Sequence, residues 1–161
     1  MKLHCIQFFF IMIGLLACGC QKGPKVNYVE GTIQHEGVPL AGAMVTFTPK
    51  VDGSTAMSAA GETDSSGKYR LTLLQGTSKV GSGTTEGEYL VSIVKKTSDP
   101  IRMDPPPPAY PNSAKIPIYG YVFPKEYTNP NTSGLAATVK SGKNMKVDFE
   151  LTGPGDKTIT P

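Results

Sequence analysis

Residues 61–70, GETDSSGKYR, place Glu62, Thr63, Asp64, Ser65 and Ser66 in a row ahead of a glycine. So many oxygen side chains together raise the question of a bound cation. A calcium loop of the EF-hand kind needs oxygen ligands at alternate positions, glycine at the sixth and a bidentate glutamate at the twelfth. Counted from Asp64, Lys68 falls fifth, Tyr69 sixth and Gln75 twelfth. An ammonium stands where a ligand is needed, and the closing carboxylate is missing. The same residues suit a turn. Asp64 can accept from amides just ahead of it, Gly67 can take positive φ, and Lys68 restarts an alternating run. The stretch is read as a corner that holds no metal.

Other catalytic arrangements lack parts. A serine nucleophile needs a base beside it, and the histidines are His4, near the amino terminus, and His35, next to Glu36. His35 reads as a polar side chain facing water in a solvated turn. Cys5, Cys18 and Cys20 all fall within the first twenty residues. Beyond Cys20 there is thus no thiol for zinc, for nucleophilic attack or for a disulfide. Gly81, Gly83 and Gly87 in KVGSGTTEGEY suggest a phosphate cradle, but no helix follows, and a flexible hairpin loop is the better reading. The formal net charge of +3 becomes +2 once the segment carrying Lys2 is removed. That is too small and too evenly spread for a nucleic-acid partner. The expectation is a non-enzymatic chain with no catalytic residues, metal or cofactor.

The amino terminus has chemistry of another kind. MKLHCIQ carries one lysine and no acid, and residues 8–17, FFFIMIGLLA, are ten uncharged residues. This is the layout of a secretory signal, and it falls short of the roughly 20 residues a spanning helix needs. It ends in LLAC, residues 15–18, followed by Gly19 and Cys20. LLAC resembles the bacterial lipoprotein box, with a large aliphatic residue three before the cysteine and a small one just before it. The resemblance implies that Cys18 is diacylated on sulfur, becomes the first mature residue and is acylated again on its new amino group. Cys20 is the alternative. Residues 1–17 are then a signal peptide and 18–27 a lipidated tether. The chain is expected to cross the inner membrane and stay anchored by lipid at the periplasmic or cell-surface side of the envelope.

From Val26 onward, short alternating runs are separated by glycine, proline, asparagine and aspartate. Strands are expected at 29–34, 44–49, 57–63, 68–73, 89–96, 137–140 and 145–151, with period two clearest in VTFTP, YLVSIVK and MKVDFEL. No window carries a helical stripe. About seven short strands with frequent turns argue for one antiparallel sandwich spanning 28–153, followed by a flexible tail at 154–161. Residues 97–127 break the rhythm with DPPPPAYP. Four prolines in a row cannot enter a central strand, and a connection this long is often functional. Tyr110, Tyr119, Tyr121 and Phe123 within it are the candidate binding surface, for an envelope protein or for stacked sugar rings.

GTIQHEGVPLAGAMVTFTP, then GETDSSGKYRL, then GEYLVSIVKK together resemble the carboxypeptidase regulatory-like, or transthyretin-like, domain. With the late segment FPKEYTNPNTSGLAATVKSGKNMKVDFEL, the chain is similar to small lipoproteins of planctomycete bacteria. That resemblance implies a Greek-key sandwich of the transthyretin (prealbumin) type and an accessory or binding role, with a carbohydrate-binding module as the alternative. The transthyretin-like hydrolases of 5-hydroxyisourate use histidines, an arginine and a terminal Tyr-Arg-Gly-Ser motif. Here residues 155–161 read GDKTITP, and the histidines are His4, in the signal segment, and His35.

Overall fold

The structure is a computed structural model and describes residues 25–51, 55–75, 78–142 and 144–156. Cys18 and Cys20, with the rest of residues 1–24, lie outside the described residues. The described chain is built almost wholly of strands. In order these are β1 (Val29–His35), β2 (Val38–Pro39), β3 (Met44–Pro49), β4 (Ala59–Glu62), β5 (Lys68–Arg70), β6 (Thr72–Gln75) and β7 (Ser78–Ser82). They continue with β8 (Gly87–Val94), β9 (Arg102–Asp104), β10 (Ile116–Ile118), β11 (Leu135–Val139), β12 (Met145–Lys146) and β13 (Phe149–Leu151), and a 3-10 turn spans Lys125–Thr128.

Two sheets face each other. The larger runs β11-β8-β3-β4-β6-β7 with every pair antiparallel. The smaller is centred on β1, with β2 and β5 antiparallel on one side and β12 and β13 on the other. Val29, Ile33 and Leu151 from the smaller sheet meet Val45, Phe47, Tyr89, Val91 and Ile93 from the larger in one core cluster. Period two is the cause. In β1, Val29, Gly31 and Ile33 turn inward while Glu30 stays in water, and each large apolar side chain so buried contributes about 1.5–3 kcal/mol.

Several expectations need correction. The sandwich is not purely antiparallel, because β12 and β13 run parallel to β1. After β11 the chain turns near Gly142, whose amide donates to the Asn27 side chain. It then enters the smaller sheet at the end where β1 begins, so it must travel in the direction of β1. The run 68–73 is not one strand. At Leu71 the chain leaves β1 and joins β4, and the Leu71 amide donates to the Val29 carbonyl while its side chain is fully buried. KVGS is strand β7 rather than loop. Finally, 145–151 is interrupted between β12 and β13. There the Asp148 carboxylate accepts from the Thr32 amide and hydroxyl, both at 2.8 Å, and stands in for a ladder carbonyl.

The corner at Asp64 forms as its residues suggest. Asp64 Oδ1 accepts from the Ser66 amide, the Ser66 hydroxyl and the Lys68 amide, and Gly67 has φ 74°. These donors, the Ser66 hydroxyl foremost, hold the carboxyl below its ordinary range. Tyr89 ties down the opposite end of the molecule. Its ring is fully buried, and its hydroxyl lies within hydrogen-bond distance of the Thr84 and Thr85 hydroxyls and the Thr85 carbonyl. Such a group is stable in the core only when its hydrogen bonds are made.

Candidate binding surface

The strands define two poles. At one, the chain enters at Asn27, which pairs with Thr84, close to where β8 starts at Gly87 and β3 ends at Pro49. At the other, β8 ends at Val94 opposite Met44, β1 ends at His35, and the Leu40 amide donates to the Ile33 carbonyl. β8 has 8 residues, which at about 3.4 Å each separate the poles by roughly 27 Å. The segment 97–120 leaves from the second pole, away from the entry at Asn27.

That segment is not structureless. Lys96 bridges to Tyr121, and the Thr97 amide donates to the Gly120 carbonyl. β9 and β10 then form a two-stranded ribbon in which Arg102, Met103 and Asp104 lie opposite Ile118, Pro117 and Ile116. The proline run begins where β9 stops. Proline lacks an amide donor, so it ends the ladder, and the tip closes through the Tyr110 amide on the Pro107 carbonyl and the Ser113 amide on the Tyr110 carbonyl. Successive residues point to opposite sides of a ribbon, so Met103 and Ile116 lie on different faces. Both faces are open: Met103 is 50% exposed, Ile116 42%, Tyr119 38% and Tyr110, at the tip, 70%.

The four aromatic residues singled out by sequence do not share a face. Tyr110 and Tyr119 belong to the exposed ribbon. Tyr121 is half-buried at its base, lining an open groove of about 700 Å³ with Ser98, Asp99 and Ile101. Phe123 is fully buried. Its ring meets Tyr127 edge-on at 5.9 Å and His35 at 6.2 Å, so it fastens the returning chain to the core and cannot touch a ligand. Met103 and Ile116 were missed. Their signal is the alternation of RMD and IPI on either side of the proline run, which pairs them only once the ribbon closes.

His35 is also placed differently from the solvated turn expected of it. It ends β1 opposite Leu151, and its Nε2 lies 2.9 Å from the Gly153 carbonyl. A carbonyl can only accept, so that nitrogen carries the proton and is occupied as a donor. Glu36 accepts from the Gly153 amide at 2.6 Å. The pair clasps the end of β13, which lies more than a hundred residues away in sequence. Among the described residues, no group of three or more His, Cys, Asp or Glu side chains could hold a metal ion.

No family model matches the chain, and no curated protein matches it. Among solved structures it is similar to a 9R-lipoxygenase from Cyanothece PCC8801, at 12% identity over 81% of this chain with a TM-score of 0.37. The chain spans 17% of that protein, and a likeness so low bears on neither fold nor chemistry.

Proposed function

We propose that this chain is an envelope lipoprotein of the carboxypeptidase regulatory-like, transthyretin-like kind. In this reading it is held to the membrane by acylated Cys18, or by Cys20, and has a Greek-key sandwich of about seven principal strands. It binds or assembles with an envelope component and catalyses nothing. The observation that carries the reading is the ribbon, a two-stranded element with apolar side chains open on both faces, at the pole farther from the chain's entry. Two strands alone are marginal in water, and exposed apolar side chains on such an element favour a contact with something else. A tether at the Asn27 pole directs the ribbon away from the lipid.

Two measurements test this. A photo-crosslinking amino acid at Tyr119 in intact cells is expected to yield a discrete protein adduct, whereas the same group at Lys68 gives none. Equal labelling at both sites would defeat the ribbon as the contact. Replacing Cys18 with alanine is expected to move the protein from the membrane to the soluble fraction, since three acyl chains at about 0.8 kcal/mol per buried methylene are lost. If the variant still partitions with membranes, the anchor belongs to Cys20. The groove supports a second reading, because Tyr121 beside Asp99 and Ser98 offers a ring and polar groups suited to a sugar. Tyr119 adducts that contain carbohydrate and no protein would favour it.

A further inference from the structure

The stretch from Ile116 to Val122 presents its backbone to two sides in turn. The Ile118 and Gly120 carbonyls accept from the Ile101 and Thr97 amides, and the Val122 amide donates to the Lys95 carbonyl. These three residues face the chain that leaves β8. Because the direction alternates from one residue to the next in an antiparallel ladder, Pro117, Tyr119 and Tyr121 face the opposite side. At Tyr121 that side is taken, since its amide donates to the Asp156 carbonyl at 2.8 Å. At Tyr119 and Pro117 it is an edge, because β10 pairs with β9 alone among the described residues.

Residues 153–156 set a register along this edge. A Cβ on Gly153 would stand 2.8 Å from Pro124 Cγ, and one on Gly155 would stand 2.8 Å from the Tyr121 carbonyl oxygen. Together with the Asp156 bond, these approaches run the two segments antiparallel, with Gly153 beside Pro124 and Asp156 beside Tyr121. Glycine at 155 lets the backbones come this close. Continued in the same register, residues 157–161 fall opposite Gly120, Tyr119, Ile118, Pro117 and Ile116 in that order. Their sequence is KTITP, and they lie outside the described residues.

We propose that the open edge of β10 takes residues 157–161 of the same chain as an antiparallel third strand. The Thr158 and Thr160 amides then donate to the Tyr119 and Pro117 carbonyls. Each position suits its place. Thr158, Ile159 and Thr160 are β-branched, which favours a pleated strand. Opposed residues share a face, so Ile159 joins Ile118 and Ile116 on one side of the ribbon, and Thr158 meets Tyr119 on the other. Pro117 has no amide to offer but keeps the carbonyl that Thr160 needs. In this register Pro161 turns the side without a donor away from β10, where an edge proline is tolerated. The added strand covers a row of backbone groups that would otherwise template pairing with another chain. It joins at the edge and leaves the two faces to a partner, so it goes beyond the ribbon reading without resting on it.

The test uses the full chain carrying Ile118→Cys with Ile159→Cys, mildly oxidised and compared with Ile118→Cys with Thr160→Cys. Positions 118 and 159 form a pair without mutual hydrogen bonds, whose Cα atoms, about 4.5 Å apart, are within reach of a disulfide. Positions 118 and 160 point to opposite faces. A peptide joined through 118 and 159 is expected at several times the yield of one joined through 118 and 160. Equal yields, or no joined peptide while the melting temperature stays at the parental value, would overturn the proposal. So would a 118 to 159 link found only in a band at twice the chain mass, which would assign the edge to pairing between copies. A second measurement needs no cysteine. Stopping the chain after Asp156 should speed hydrogen exchange at the Tyr119 amide several-fold, because its acceptor on Thr158 is gone. Unchanged exchange there would equally end the proposal. Neither readout involves the ribbon's partner, so failure here and failure of the ribbon reading are separable.

Discussion

Gly31→Ala is expected to cost at least about 3 kcal/mol of folding stability, a large share of the roughly 5–15 kcal/mol by which a domain is stable. The backbone of Gly31 itself is extended and carries no strain; the cost is one of space. A Cβ at this position would stand 1.7 Å from the Val147 carbonyl oxygen and 2.9 Å from Tyr69 Cε1. The oxygen is turned inward there because β12 and β13 are separated by the break at Val147 and Asp148. It accepts from the Tyr69 hydroxyl at 2.7 Å, while the Val147 amide donates to the Glu30 carbonyl. Burial pushes the Tyr69 hydroxyl up, so it stays protonated and remains a donor. Asp148 completes the arrangement from outside, its carboxyl held low by the Lys146 ammonium and then by Thr32. Making room for one methyl would require moving a backbone carbonyl away from its only described donor. Urea unfolding followed by circular dichroism measures the effect, with Glu30→Ala, an exposed neighbour, as reference. A Gly31→Ala midpoint close to that of the reference would refute the packing described.

Phe123→Ala is expected to cost about 3–5 kcal/mol, the range for removing a buried phenylalanine. It should also release the ribbon. Phe123 is the first fully buried residue after the ribbon, and its ring is seated against His35 and Tyr127. Without it, the returning chain keeps only the partly buried Val122 and Tyr127 against the core near this point, and cleavage within 97–122 by a dilute protease should rise well before global melting. Tyr110→Ala removes a ring from the exposed tip and should change stability by no more than about 0.5 kcal/mol. If the ribbon is the contact, both substitutions weaken partner capture, but only Phe123→Ala also lowers the melting temperature. Equal stability of the two variants would show that Phe123 does not fasten the insertion.

The strands were legible where a local pattern decides the outcome. VTFTP and YLVSIVK alternate strictly, and β3 and β8 pair along most of their length. The Asp64 corner was legible for the same reason, since its donors and acceptor lie within five residues of one another. The ribbon was not. Its strands are three residues each and lie on either side of a proline-rich tip, and no local rule pairs RMD with IPI across that distance. Phe123 was misplaced among the surface aromatics because apolar residues near tyrosines and prolines look alike in sequence whether they face inward or outward.

Taken alone, the amino-acid sequence determined that the chain is built of strands, where most of them lie and where the chain turns. Alternation and turn chemistry act over a few residues, and both can be read directly. Only the tertiary structure decided that β12 and β13 run parallel to β1, and that His35 and Glu36 clasp Gly153. Each of these depends on which distant segments become neighbours. That choice is made by the shared burial of the core, which no short stretch of sequence contains.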